Sequence, residues 1–433
     1  MQLSTYLKIY PCPDQPGMNL VYSTVRSSVV LLPDDLLAAA REGSLPAEEQ
    51  EVLTRLGILT PERAAEQQRM RTIFDIPRPN APFNATVVLN LDCNLACPYC
   101  YEAAFRGRRY MSAATAGLLV ATIRRERIDQ GQPVRLTFYG GEPLLSLDLI
   151  RAIARPLRAA AEKQGVAFSF SLVTNGTLLN RACAAELVGL GLSGAKITLD
   201  GPAELHDRSR PFVSGRGSYA AIMRNVVEVY DIVPLQLGGN YTRDNYRQFP
   251  QMLDDLLARG IDPARVGTVL FAPVIPKAGE RVPSDFNSGC ACSYEPWLME
   301  AGVWLREETI RRGFPAPKPK LAACMVELEN DLVIDHEGSF FKCPAFMAYP
   351  QLRIGSLAEG IGDYAESHNL ALWKTEECLA CAYLPLCFGG CRQLTLLRSG
   401  GIDAVDCRRE YYDTVLERVV RQDLAYQGTK QDA

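Results

Sequence analysis

The spacing of apolar and polar positions changes along the chain. Residues 19–32 alternate in places and are rich in β-branched side chains, a pattern that predicts a β-hairpin. Asp34–Arg41 and Ala47–Leu56 then place apolar residues at helical spacing, with Gly57 as a C-terminal stop. Together these predict a small α+β module over residues 1–77, followed by the proline-bearing linker Arg78-Pro79-Asn80-Ala81-Pro82. From Phe83 the pattern switches to short apolar runs separated by helix-length amphipathic ones. Strands are expected at Thr86–Leu91, Val134–Tyr139, Phe168–Thr174, Ala195–Leu199, Leu235–Tyr241 and Thr268–Pro273. The intervening helices are expected at Ser112–Ile128, Leu147–Lys163, Arg181–Leu190, Tyr219–Tyr230 and Asn245–Arg259. Six strands with five helical spacers predict an α/β fold, a parallel sheet with crossover helices closed into a partial barrel. Functional loops of such barrels gather at the C-terminal ends of the strands. A later hairpin is expected over Leu332–Cys343, turning at Asp335-His336-Glu337-Gly338, and a helix with a tail over residues 413–433.

Composition narrows the class. Of 433 residues, 47% are hydrophobic, enough for two or three real cores. No apolar stretch is long enough to span a bilayer, and a net charge of -4 leaves no footprint for nucleic acid, so neither partner is expected. Met1 to Tyr10 contains no apolar signal-peptide core, so a reduced, cytoplasmic chain is expected and a disulfide framework is not.

The cysteines carry the chemistry. Cys93-x3-Cys97-x2-Cys100 follows the first barrel strand, where a catalytic loop belongs, and Cys324, Cys343, Cys378, Cys381, Cys387, Cys391 and Cys407 form a second set. Thiolates a few residues apart on one loop converge readily on an iron–sulfur centre, and a cubane held by three thiolates keeps one iron open for a further ligand. Structural zinc fits the first group poorly, because a tetrahedron needs a fourth ligand and none of His206, His336 and His368 is near Cys93 in sequence. Other strand ends carry polar motifs: Gly140-Gly141-Glu142-Pro143, Thr174-Asn175-Gly176, Thr198-Leu199-Asp200-Gly201, and Asn240 with Tyr241. Paired glycines allow close backbone approach, and Glu142 offers an acceptor for an ammonium group; a plain turn is the competing reading of Gly-Gly-Glu-Pro.

The cysteine loop, with Tyr99 before its last cysteine, and the Gly140-Gly141-Glu142-Pro143 run resemble the radical S-adenosylmethionine (SAM) superfamily. The resemblance implies a partial (β/α)6 barrel, in which a 4Fe–4S cluster on Cys93, Cys97 and Cys100 binds and cleaves S-adenosylmethionine. Glu142 would then accept the methionine ammonium. Tyr99, Gly140, Gly141, Pro143, Asn175, Thr198 and Asp200 would line the cofactor. His206-Asp207-x2-Arg210 is similar to a run in the peptide-modifying subgroup, and Arg210 would meet the cofactor carboxylate, with a surface salt bridge as the alternative. A one-electron reductant such as flavodoxin or ferredoxin is the implied partner.

The seven later cysteines resemble the SPASM extension, which implies two auxiliary 4Fe–4S clusters, three clusters in all. By that resemblance Cys378, Cys381, Cys387 and Cys407 hold one; Cys324, Cys343 and Cys391 hold the other, whose fourth ligand is Cys290, Cys292 or an open position. The expected division is residues 1–77, 83–285 (radical SAM barrel), 286–412 (SPASM domain) and 413–433. Residues 1–77 resemble a small PqqD-like leader-peptide recognition element, a plain capping domain being the alternative. The layout is similar to peptide maturases of the geopeptide type, which implies a ribosomal precursor peptide as substrate and thioether crosslinking as the reaction. Carbon–carbon crosslinking, epimerisation and a small-molecule substrate stay open. Sulfatase-maturase-like modification is disfavoured, because Pro344 stands where those enzymes carry a basic aspartate after Cys343.

Overall fold

The computed structural model describes residues 1–75, 81–100, 102, 106–274 and 295–427. Cys290, Cys292, Tyr101 and residues 78–80 of the expected linker lie outside them. The chain forms two compact units: residues 1–77, 318–328 and 369–433 make one, and residues 78–317 with 329–368 make the other.

The N-terminal module has strands β1 (Gln2–Leu3), β2 (Leu7–Pro11), β3 (Met18–Ser23) and β4 (Val29–Pro33), helices α1 (Asp34–Glu42) and α2 (Ala47–Arg55), strand β5 (Leu59–Thr60) and helix α3 (Arg63–Arg71). β2, β3 and β4 form an antiparallel sheet, and β1 pairs with β5. The expected hairpin is β3–β4. Gly57 follows α2 at a φ of 72°, and a side chain there would collide with Arg26 and Ser23, so the stop must be glycine. α3 escaped the periodicity because it is almost wholly polar; only Glu66 and Met70 are buried.

The second unit is built on β6 (Phe83–Asn90), α4 (Ala113–Glu126), β7 (Val134–Gly140), α5 (Leu147–Gln164), β8 (Phe168–Thr174), α6 (Arg181–Leu190), β9 (Leu192–Thr198), α7 (Ala203–Ser209), α8 (Tyr219–Val229), β10 (Leu235–Tyr241), α9 (Pro250–Ala258), β11 (Thr268–Pro273) and α10 (Pro296–Arg311). β6 to β11 are parallel and lie side by side in chain order, the expected core. The expected helix Asn245–Arg259 is instead a 3-10 turn, Tyr246–Gln248, and then α9, because Pro250 has no N–H to continue one helix through. In β7, Val134, Leu136 and Phe138 are buried, while Arg135, Thr137 and Tyr139 on the other face are not. A sheet packed on both faces would be apolar throughout. Here one face stays polar, with Thr137 and Ser171 hydrogen-bonded across it at 3.0 Å. The expected later hairpin is β12 (Asp331–Ile334) and β13 (Ser339–Phe341), followed by β14 (Gly355–Ser356) and β15 (Gly360–Ile361). The Asp335 carboxylate holds its turn, accepting from the N–H groups of Glu337 (2.9 Å) and Ser339 (2.8 Å). β12 runs parallel to β6, so the barrel sheet continues into this hairpin as ten strands.

The chain then returns to the first unit with α11 (Glu376–Leu379), α12 (Leu384–Cys387), α13 (Arg392–Ser399) and α14 (Arg409–Gln427). This segment shares its core with the N-terminal module. Tyr6 and Met70 pack with Trp373, Leu379, Leu384 and Phe388. Leu20 and Tyr22 pack with Tyr383, Leu386, Leu416 and Val420. Among the described residues, no helix is long and apolar enough to cross a membrane.

Candidate cluster and cofactor site

β6 ends at Asn90, whose side-chain amide donates to the Glu142 carbonyl (3.0 Å) and to Ser146 Oγ (2.7 Å). The loop that follows packs directly on the end of β7. Gly141 N–H donates to Asn90 O (3.1 Å) and Glu142 N–H to Asp92 O (2.7 Å). A side chain on Gly140 would run into Asn90 backbone, and one on Gly141 into Asp92 backbone. What approaches these glycines closely is thus the protein's own cysteine loop, a more specific reason for them than ligand access.

Asp92 opens the loop, accepting from Cys93 N–H (2.9 Å) and the Tyr110 hydroxyl (2.5 Å). Arg106 closes it from inside, donating to the carbonyls of Cys93 (2.7 Å) and Leu95. Asn175, just beyond β8, donates to Asn94 Oδ1 (2.8 Å) and towards Cys93 Sγ (3.7 Å), and Leu95 N–H also points to that sulfur (3.4 Å). The far side of the loop is stitched to the segment after α7 by Ala96 N–H to Pro211 O (2.8 Å) and Val213 N–H to Asn94 O (2.9 Å).

Burial pushes the Cys93 thiol up to about 11, against Leu95 N–H and Arg106, which favour its thiolate. Burial also raises Cys97 and Cys100; Arg210 and Arg106 oppose this at Cys97, and Arg106 at Cys100. Cys97 interacts electrostatically with both Cys93 and Cys100. Among the described residues, no three His, Cys, Asp or Glu side chains close around a single point suited to one metal ion. Thiolates on a cubane each bind a different iron, so they stand farther apart than ligands of one zinc ion.

Beside Cys97 lies a buried polar network. The Tyr99 hydroxyl donates to Asp200 and accepts from Arg210 Nη1 (2.7 Å) and Asn240 Nδ2 (3.3 Å). Asp200 also accepts from Asn240 N–H (2.8 Å). Burial raises the Asp200 carboxyl, partly offset by Arg210. The surface reading of Arg210 does not hold: its Nε is out of solvent and has no hydrogen-bond partner among the described residues. His206 sets this arrangement from behind. Its Nδ1 accepts from Asp200 N–H (3.0 Å), so the proton sits on Nε2, facing Ser218 Oγ (3.0 Å), which donates to Arg210 O (2.6 Å). Burial, with Arg210 adding to it, pushes His206 down to about 3.

Glu142 is fully buried and held by three donors: Leu144 N–H (3.0 Å) and Thr174 Oγ1 (2.8 Å) on one oxygen, Asn175 N–H (2.8 Å) on the other. A carboxylate has about four lone-pair sites, so one remains on the second oxygen. Burial raises its pKa, against those donors. Pro143 starts the 3-10 turn Pro143–Ser146 that Glu142 caps. Thr198 closes β9, in register with Gly238. The sequence reading passed over Arg106, Asn94, Asn90 and Ser218. Arg106 stands in the basic run Arg106-Gly107-Arg108-Arg109, and nothing local tells which arginine turns inward.

In the other unit, Thr375 caps α11 and accepts from Cys378 N–H (3.2 Å). Phe388, Gly389 and Gly390 follow Cys387 with φ of 38°, 84° and 78°, a left-handed reversal that delivers Cys391. Asp406, fully buried between Arg398 (2.7 Å) and Arg408 (3.3 Å), accepts from Cys391 N–H (3.1 Å). Cys378 interacts electrostatically with Cys381 and Cys407, Cys387 with Cys381 and Cys378, and Cys324 with Cys391. Burial pushes Cys387 up to about 12. Cys343 belongs to the barrel unit, two residues beyond the end of β13. Cys183 is half-buried on α6.

Comparison with known proteins agrees with this architecture. The profile of the radical SAM superfamily matches residues 87–261. A PqqA peptide cyclase from Rhodopseudomonas palustris is 24% identical over 345 residues, 75% of this chain and 86% of that protein. Two solved structures share the fold. Native anSMEcpe with bound AdoMet and Kp18Cys peptide has a TM-score of 0.60 at 17% identity, covering 82% of this chain and 100% of that one. Streptococcus suis SuiB bound to precursor peptide SuiA has a TM-score of 0.53 at 14% identity, covering 95% of this chain and 99% of that one. A domain of this superfamily implies a 4Fe–4S cluster and S-adenosylmethionine. The matched span runs from β6 to the loop after α9 and so contains the cysteine loop and the strand ends around it: residues 87–261 are a domain of the radical SAM superfamily, and the chain is an enzyme built on it.

Proposed function

We propose that this enzyme modifies a ribosomally made peptide, forming thioether crosslinks at cysteines of that peptide. The observation that carries the peptide reading is the likeness to a peptide cyclase over 86% of that protein's length. The fold shared with SuiB, whose solved structure holds a precursor peptide, supports it across 95% of this chain.

Cys93, Cys97 and Cys100 would hold the 4Fe–4S cluster, and the donor set suits it: three neighbouring thiols, flanked by Arg106 and Arg210. Bound S-adenosylmethionine supplies a 5′-deoxyadenosyl radical for hydrogen abstraction. The residues around it bind and orient. The remaining lone-pair site of Glu142 would accept the methionine ammonium. Arg210, with its unpartnered Nε, would meet the cofactor carboxylate, braced by Tyr99 and Asp200. Asn175 would steady Cys93, and Thr198 with Gly140, Gly141 and Pro143 would line the pocket. The seven later cysteines would hold two auxiliary clusters; Cys378, Cys381, Cys387 and Cys407 suit one by their mutual proximity. An auxiliary cluster with three thiolate ligands would leave an iron to bind the substrate thiolate. A flavodoxin or ferredoxin would supply the electron.

The peptide leader would add a strand to β4, as in β-augmentation. Ser23 N–H donates to Ser28 O at 3.0 Å, so the ladder's bonding pairs are 23/28, 21/30 and 19/32, and residues 29 and 31 turn their backbone groups outward. Leu31 is 43% exposed on that edge. The other edge, β2, is already engaged: Arg421 donates to Pro11 O (2.7 Å) and Lys8 pairs with Asp413 (3.2 Å). Deleting the module would open the core it shares with the cysteine segment, so Leu31→Pro is the cleaner test. It removes one outward N–H and leaves the β3 ladder whole. Peptide modification should fall at least about 10-fold, one hydrogen bond plus lost docking, while uncoupled cleavage of S-adenosylmethionine persists.

The deciding experiment is the intact mass of a precursor peptide encoded beside the gene, after anaerobic co-expression. Each thioether removes about two hydrogens and consumes one thiol. The same mass loss with every thiol still free would instead favour a carbon–carbon crosslink, the second reading suggested by the peptide-cyclase relative. Pro344, which opens the 3-10 turn Pro344–Ala348, has no group to act as a base and weighs against sulfatase maturation.

A further inference from the structure

The N-terminal module touches the later cysteines through two hydroxyls, both wholly buried. The Tyr6 hydroxyl donates to Leu379 O at 3.0 Å. The Thr24 hydroxyl donates to Ala382 O at 2.6 Å. The partners are far apart in sequence, by 373 and 358 positions, yet the two acceptor carbonyls each follow a cysteine by one residue: Leu379 after Cys378, Ala382 after Cys381. The two donors brace one another, because Thr24 N–H donates to Tyr6 O (3.0 Å) and Tyr6 N–H to Ser4 Oγ (3.0 Å), itself bonded to Glu66 (2.6 Å). Apolar packing surrounds the contact: Cys378 lies against the cluster containing Tyr6 and Trp373, and Cys381 against the one containing Leu20 and Tyr22.

We propose that Tyr6 and Thr24 are positioning residues for the metal-binding loop Cys378–Cys387, so that the N-terminal module is a wall of the auxiliary-cluster site. The inference rests on the reading that Cys378, Cys381, Cys387 and Cys407 hold a cluster. Two peptide planes flanking Cys381 are fixed from outside the loop. Their carbonyl oxygens are turned towards the module's hydroxyls. Without the hydroxyls those buried carbonyls lose their donors and the loop relaxes to satisfy them, which moves the sulfurs. Partners one shell out from a metal ligand typically change metal affinity 10–100-fold, and dipoles near the sulfurs set the cluster's potential.

The test uses the full chain with Cys93, Cys97 and Cys100 replaced by Ala, so that only the later cysteines bind iron. Adding Tyr6→Phe and Thr24→Val should raise the rate of iron loss to a chelator about 10–100-fold and shift the midpoint potential of the reduced cluster's paramagnetic signal. Thr24→Ser with Tyr6 intact, which keeps both hydroxyls, should leave both at the parent values. Val21→Ala, a cavity in the module's other core, serves as the comparison. Unchanged release and potential in the double variant would overturn the proposal. So would equal iron loss in Val21→Ala, which would mean general loosening. A parent chain that binds no iron would overturn the cluster reading itself and this inference with it.

Discussion

Arg392 and Glu327 form a charge pair in the interior, 2.7 Å apart with side chains 2% and 4% exposed. They follow Cys391 by one residue and Cys324 by three. The pair is fully coordinated. Arg392 also donates to Ile402 O (3.1 Å) and Asn369 O (2.9 Å), and the second Glu327 oxygen accepts from Ala371 N–H (3.0 Å) and Trp373 Nε1 (3.1 Å). Glu327→Met would leave a guanidinium buried without its counter-charge and strand two N–H donors. Breaking such a pair costs about 3–5 kcal/mol. Removing both charges with Glu327→Met and Arg392→Met eliminates the orphan, and well-packed apolar replacements are often neutral or better. The double variant should therefore be more stable than Glu327→Met alone. Anaerobic urea denaturation reads this through Trp373, with Trp297 and Trp304 replaced by Phe so that the only indole left is the one bonded to Glu327. A Glu327→Met cost below about 1 kcal/mol would refute the reasoning, as would a double variant no more stable than the single, since either would mean that the charges are not coupled.

Three further outcomes follow from the barrel site. Arg106→Gln removes a positive charge and weakens the hold on the Cys93 and Leu95 carbonyls, so the loop's cluster should become harder to reduce and lose iron faster; redox titration and iron assay check this. His206 is held near 3 when folded against about 6.5 when unfolded, so the unfolded state takes up the proton first. Its contribution is complete above about pH 6.5 and lost as pH falls towards 3, by about 1.4 kcal/mol per unit, reaching about 2 kcal/mol at pH 5; denaturation at several pH values should show this slope, and His206→Gln should lack it. Gly141→Ala forces a methyl group into Asp92 backbone, with no flexible side chain to yield, so the variant should fail to hold the barrel cluster, seen as missing iron and a lowered melting temperature.

The barrel core was legible because each element carries its own local signal. Apolar alternation marked all six strands at their C-terminal ends to within one residue, and glycines closing α5 and α6 in the left-handed conformation ended those helices where expected. β6 begins earlier than its apolar run, at Phe83, because Asn84 pairs with Asp331 of the distant hairpin. The cysteine loop and the strand-end motifs could be read for the same reason: they are contiguous, and barrel topology brings strand ends together. Partner choice was a different matter. Nothing within a few residues of Tyr6 or Thr24 announces the carbonyls of Leu379 and Ala382, and nothing near Arg106 tells which arginine turns inward. The interior position of Arg210, the tautomer of His206 and the docking of β12 beside β6 are likewise products of assembly. Helix and strand periodicity is set by neighbours along the chain, so a sequence carries it openly. The pairing of buried donors with buried acceptors depends on which surfaces meet, and that is decided only when apolar faces hundreds of residues apart close together and every polar group trapped between them must find a partner.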